Sequence, residues 1–137
     1  MKLFADTANL EEIEFALKRG FIRGVTTNPS LLAKEPRTSF EKHILAIIDL
    51  LRSYGSQSEA DDVSGIGINQ GKFHLSVEVF AREASDIVKQ AVGFRDKFNY
   101  PELSVKVQIG WEELEAIHIL SREGVPVNCT ACMTVSQ

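Results

Sequence analysis

The sequence predicts an α/β protein whose parallel strands belong to a closed barrel, and three observations carry that expectation. Short runs of alternating apolar and polar residues recur along the 137 residues. Segments with apolar residues three and four apart lie between them, and the polar positions of the strand-like runs fall persistently on one face. Strict strand and helix alternation implies parallel strands joined by right-handed crossovers. An open sheet sandwiched by helices is apolar on both sides. A barrel needs only its outward face apolar, because the inward face near the C-terminal mouth can carry chemistry.

The elements follow in order. In Lys2-Leu3-Phe4-Ala5-Asp6-Thr7 the residues Leu3 and Ala5 share one face, and Asp6 lies with Phe4 on the other. Leu10, Ile13, Ala16 and Leu17 then repeat with helical spacing, from a start near Thr7 to a stop at Gly20. Val25-Thr26-Thr27-Asn28 reads as a strand with Thr26 and Asn28 on its polar side. Phe40, Ile44, Ile47, Ile48 and Leu51 mark a helix that begins near Ser39 and ends at Gly55. The Ser, Gly, Asp and Gln content of the segment from Ser53 to Lys72 predicts a flexible surface loop.

His74-Leu75-Ser76-Val77-Glu78-Val79 opposes three apolar residues to Ser76 and Glu78. A helix carrying Ile87, Ala91, Phe94 and Phe98 starts near Ser85. Leu103-Ser104-Val105-Lys106-Val107-Gln108-Ile109 alternates without exception. Leu114, Ile117, His118 and Leu120 predict a helix between Gly110 and Gly124, with Trp111 packed at its start and Glu112, Glu113 and Glu115 suiting the helix dipole. Val127-Asn128-Cys129-Thr130-Ala131 closes the series with Asn128 and Thr130 on the polar side.

Lys106 is the residue this pattern singles out. An ammonium is rarely placed inside a domain without a partner or a task. Its face would be shared by Asp6, Thr26, Asn28, Glu78, Asn128 and Thr130. Plainer readings exist for each: an isolated strand lysine is commonly solvated, Asp6-Thr7 suits a helix cap, Glu78 suits a counter-charge, and Thr26-Thr27-Asn28-Pro29 suits a turn before proline.

The motifs Phe4-Ala5-Asp6-Thr7-Ala8-Asn9, Gly24-Val25-Thr26-Thr27-Asn28-Pro29-Ser30, Ser76-Val77-Glu78-Val79, Val105-Lys106-Val107 and Glu123-Gly124-Val125-Pro126-Val127-Asn128-Cys129-Thr130 occur in this order. Through them the whole chain resembles the small transaldolase and fructose-6-phosphate aldolase family of class I, Schiff-base aldolases. The resemblance implies an eight-stranded TIM barrel. Such a barrel needs about 200 residues or more, so 1–137 is expected to be a single domain, the N-terminal five units of a truncated or cleaved barrel.

The resemblance also implies roles. Lys106 would be the Schiff-base lysine, reacting as a free amine that desolvation favours. Asp6 would accept a proton from the substrate hydroxyl. Glu78 would move protons through a water held by Thr130, while Thr26, Asn28 and Asn128 would bind substrate. Transaldolases of this family carry glutamate where Glu78 stands and the aldolases glutamine, so transfer of a dihydroxyacetone unit from a ketose phosphate to an aldose phosphate is favoured. A lyase releasing free dihydroxyacetone is the alternative, and a non-catalytic fragment pairing its edge strands with another chain is the third reading. Sugar phosphates are the expected partners, a homo-oligomer the expected assembly, and no cofactor or metal is implied.

Composition fits a soluble, cytoplasmic enzyme. Net charge of -4 and 25% charged residues argue against nucleic acid or an anionic membrane as partner, and the start of the chain leads straight into a strand with no signal peptide. Cys129 and Cys132 have the spacing of redox and zinc motifs. Residues three apart in a strand face opposite sides, so metal and disulfide chemistry are discounted and Cys129 is expected as a packing residue. His43, His74 and His118 are expected at surface or boundary positions.

Overall fold

The computed structural model describes residues 2–35, 39–58 and 72–137. The described strands pair in the order β1 (Leu3–Asp6), β2 (Ile22–Thr26), β3 (His74–Glu78), β4 (Leu103–Gln108) and β5 (Val127–Thr130). A doubly wound sheet reverses its strand order at a switch point; this order has no reversal. It is the succession of a barrel of the TIM family, here with five strands and the helices between them. The chain divides into two compact units at Leu75–Ser76, within β3.

The first unit holds β1, α1 (Leu10–Lys18), β2, α2 (Pro29–Leu32), α3 (Phe40–Ser58) and the start of β3. Asn9 caps α1, its side-chain oxygen accepting from the N–H groups of Glu11 and Glu12 at 3.0 and 3.1 Å. Gly20, at φ 73°, ends it. The helical stripes bury Ile13 and Leu17 of α1 and Ile44, Ile47, Ile48 and Leu51 of α3, each worth about 1.5–3 kcal/mol relative to exposure. β1 and β2 run parallel, with Phe4 opposite Gly24 and Asp6 opposite Thr26. The Phe4 ring meets the His74 ring edge-on at 5.8 Å.

Several boundaries differ from expectation. β2 begins at Ile22 and stops at Thr26, with Ile22, Gly24 and Val25 buried, while Asn28 caps α2 instead of extending the strand. Helix α3 continues through Gly55 to Ser58, six residues into the segment expected as a loop; residues 59–71 of that segment lie outside the described residues. His43 is buried rather than superficial, its Nε2 2.7 Å from the Ala8 carbonyl oxygen. A ring pointed inward from α3 must satisfy its nitrogen, and a backbone carbonyl does so.

The second unit holds the rest of β3, α4 (Ala84–Phe98), β4, α5 (Glu113–Arg122) and β5. Helix α4 buries the four predicted residues Ile87, Ala91, Phe94 and Phe98. It starts at Ala84, beside Ser85 as expected, with Glu83 as its N-cap, and Asn99 at φ 41° closes it. Helix α5 buries Leu120 of the predicted stripe together with Ala116, half-buries Ile117 and leaves Leu114 exposed, with His118 at the surface as expected. Gly124 at φ 69° follows that helix as predicted. Trp111 is 92% exposed rather than packed.

The two cysteines also depart from expectation. Strand β5 ends at Thr130 and Ala131 adopts φ 63°, so Cys132 no longer continues the strand. Its sulfur lies 3.7 Å from that of Cys129, and both residues are exposed.

Candidate active site

The second unit places Lys106 at the fourth position of β4, with Val105 and Val107 on the alternate face. Lys106 is 7% exposed. Its Nζ lies 3.3 Å from Glu78 Oε2, and the two side chains are 9% and 12% exposed. A buried ammonium without a counter-charge would cost several kcal/mol; the carboxylate at the end of β3 supplies that charge. The pairing is held by the backbone as well, since the Val79 N–H donates to the Lys106 carbonyl at 3.2 Å.

Strand β5 brings the next residues alongside. Asn128 stands opposite Lys106 and Thr130 opposite Gln108. Both are half-buried, and the Ile109 N–H donates to the Thr130 carbonyl at 2.9 Å. Asn128 Nδ2 donates to Ser76 Oγ at 3.2 Å, and Ser76 Oγ lies 2.7 Å from Ser104 Oγ. Ser76 and Ser104 are each two residues before Glu78 and Lys106, so they share the polar face one step toward the strand starts. Sequence reasoning placed them on that face without giving them a function. The signal was the repeat of small hydroxyl residues two positions before each charged one.

In the first unit, Asp6 ends β1 and is exposed. It pairs in register with Thr26, and the Thr7 N–H donates to the Thr26 carbonyl at 3.1 Å. Asn28 Oδ1 accepts from the Leu31 N–H at 2.9 Å, so this oxygen is engaged in capping α2. The neighbouring Thr27 is fully buried. Thus Lys106, Glu78, Asn128 and Thr130 gather in one unit, and Asp6, Thr26 and Asn28 near the strand ends of the other. Among the described residues no group of three or more His, Cys, Asp or Glu side chains converges to hold a metal ion. No described helix is long and apolar enough to cross a membrane.

Five strands in sequential order with helices between them make an α/β half-barrel, in which a buried lysine lies beside a carboxylate of the neighbouring strand. The family model for Transaldolase/Fructose-6-phosphate aldolase matches residues 3–137, and the chain belongs to that family. Among curated relatives, a probable transaldolase of Dehalococcoides mccartyi is 37% identical over 138 residues, covering 100% of this chain and 54% of that protein. Probable transaldolases of a Thermoanaerobacter species and of Methanococcus maripaludis are 34% and 35% identical, each aligned to 100% of this chain and 53% of its own length. The chain therefore spans about half the length of the curated relatives it matches.

Proposed function

We propose that this chain carries the Schiff-base half of a transaldolase, and the observation that carries the reading is Lys106 Nζ held 3.3 Å from Glu78 Oε2 in a buried setting. The ammonium must lose a proton before it attacks a ketone, and Glu78 receives it. The amine adds to the ketose carbonyl to give a carbinolamine. Glu78 returns the proton through a water held by Thr130, and water leaves as the iminium forms. The iminium withdraws electrons from the adjacent carbon, so the carbon-carbon bond beyond it breaks once Asp6 takes the proton of the hydroxyl there. Thr26, Asn28 and Asn128 bind the donor sugar.

Glutamate at position 78 favours transfer to an aldose phosphate over release of free dihydroxyacetone, because the family's transaldolases resemble this chain in carrying glutamate there and its aldolases carry glutamine. Sugar phosphates are the substrates, the compartment is the cytoplasm, and the assembly is a homo-oligomer. The test is borohydride reduction in the presence of fructose 6-phosphate, followed by peptide mass mapping. A covalent adduct on Lys106, lost in Lys106→Ala with the circular dichroism spectrum retained, is expected; an adduct that persists in the variant rejects the assignment. Turnover with and without an aldose phosphate acceptor then separates transferase from lyase.

A further inference from the structure

Cys129 and Cys132 have no part in the chemistry proposed above, yet their arrangement is specific. Cys129 is paired in register with Val107 inside the β4–β5 ladder, so its backbone is held. Thr130 ends the strand, and Ala131 takes φ 63°, a left-handed conformation uncommon for a residue with a side chain. That turn swings Cys132 back until the two sulfurs are 3.7 Å apart, on exposed residues. Two thiols so close and open to solvent are accessible to a small electrophilic disulfide.

We propose that Cys129 and Cys132 form a reversible dithiol/disulfide couple at the C-terminal end of β5, oxidised by low-molecular-weight disulfides and re-reduced by small thiols. Closing the gap from 3.7 Å to a sulfur-sulfur bond of about 2.0 Å is within the reach of side-chain rotation. The step balances. One protein thiolate attacks the external disulfide, forming a mixed disulfide and expelling one thiolate. The second protein thiolate attacks the sulfur already bound to the protein, forming the internal bond and expelling the other half. Two protein thiols lose two protons and two electrons, and the external disulfide gains them as two thiols. Burial, and then the hydrogen bond and charge of Cys132, hold the Cys129 thiol above the ordinary cysteine range. The ring that closes encloses Thr130 and Ala131. The site does not depend on the proposed activity.

The test is incubation of the reduced chain with oxidised glutathione, quenching with N-ethylmaleimide, and intact mass under non-reducing conditions. Expected is a monomer lighter than the reduced chain by two hydrogen atoms, with neither cysteine alkylated, and restored to two alkylated cysteines by dithiothreitol. Cys129→Ser and Cys132→Ser should each retain one glutathione adduct, because the second thiol that resolves it is gone. A wild-type chain that carries two glutathione adducts, keeps both thiols alkylatable, or runs as a disulfide-linked dimer overturns the proposal.

Discussion

Replacing Glu78 by glutamine removes the counter-charge of a buried lysine and little else, since the two side chains have nearly the same shape. At a separation of 3.3 Å, two unit charges in an effective dielectric of about 20 attract by ~5 kcal/mol. A second bound comes from the lysine, because neutralising an ordinary lysine at pH 7 costs ~4.6 kcal/mol and the chain can take that route instead. The glutamine carbonyl still accepts a hydrogen bond, so the expected loss is about 2–4 kcal/mol, in line with breaking other buried pairs. With a urea slope of roughly 2 kcal/mol/M, the unfolding midpoint falls by about 1–2 M. Urea unfolding followed by far-ultraviolet circular dichroism reads this, and the double change Glu78→Gln with Lys106→Met completes the cycle. Removing the amine should recover a large part of the loss. If Glu78→Gln unfolds at the wild-type midpoint, or if the double variant shows the simple sum of the single losses, the charge coupling inferred here is wrong.

Other outcomes follow from the geometry. A β-carbon at Gly24 would collide with the His74 carbonyl oxygen and stand 2.6 Å from the Phe4 ring; the backbone oxygen cannot give way, so Gly24→Ala should cost ~2–3 kcal/mol, read as a lowered thermal midpoint. Asn28→Ala removes the side-chain cap on the Leu31 N–H and should cost about 1 kcal/mol, whereas Asn28→Asp keeps an acceptor and should unfold near the wild-type midpoint. Burial first, and Cys132 second, hold the Cys129 thiol above the ordinary cysteine range. Its alkylation should therefore rise only at pH above that of an ordinary thiol; Cys132→Ser should bring the profile part of the way down, and a profile unchanged by that variant contradicts the second cause.

What could be read from the residues and what could not divides along physical lines. Lys106 and Glu78 were legible because period-two alternation assigns faces without reference to the rest of the chain. The glycine stops at Gly20 and Gly124 were legible because both take positive φ, a demand local to the helix end. Gly55 misled because a glycine within α3 costs only about 1 kcal/mol, and the turn that contains it is tied back by the Tyr54 hydroxyl, which donates to Glu14 Oε1 at 3.2 Å. The start of β2 was obscured by Arg23 and Gly24, which interrupt the apolar pattern between Ile22 and Val25. His43 and Trp111 exchanged their expected environments: a polar ring went inside because Ala8 offers a carbonyl, and an indole stayed outside. The closeness of Cys129 and Cys132 was invisible since it depends on a left-handed alanine, which no propensity scale anticipates.

The register of the strands has a consequence for synthesis. Leu3 pairs with Ile22, and Val105 with Val127, so the first and last ladders each close over a short stretch of polypeptide. Contacts of low sequence separation form early and fast. A nascent chain leaving the ribosome can thus dock β2 on β1, and β5 on β4, without waiting for distant segments, which shortens the time those strand edges are bare to aggregation.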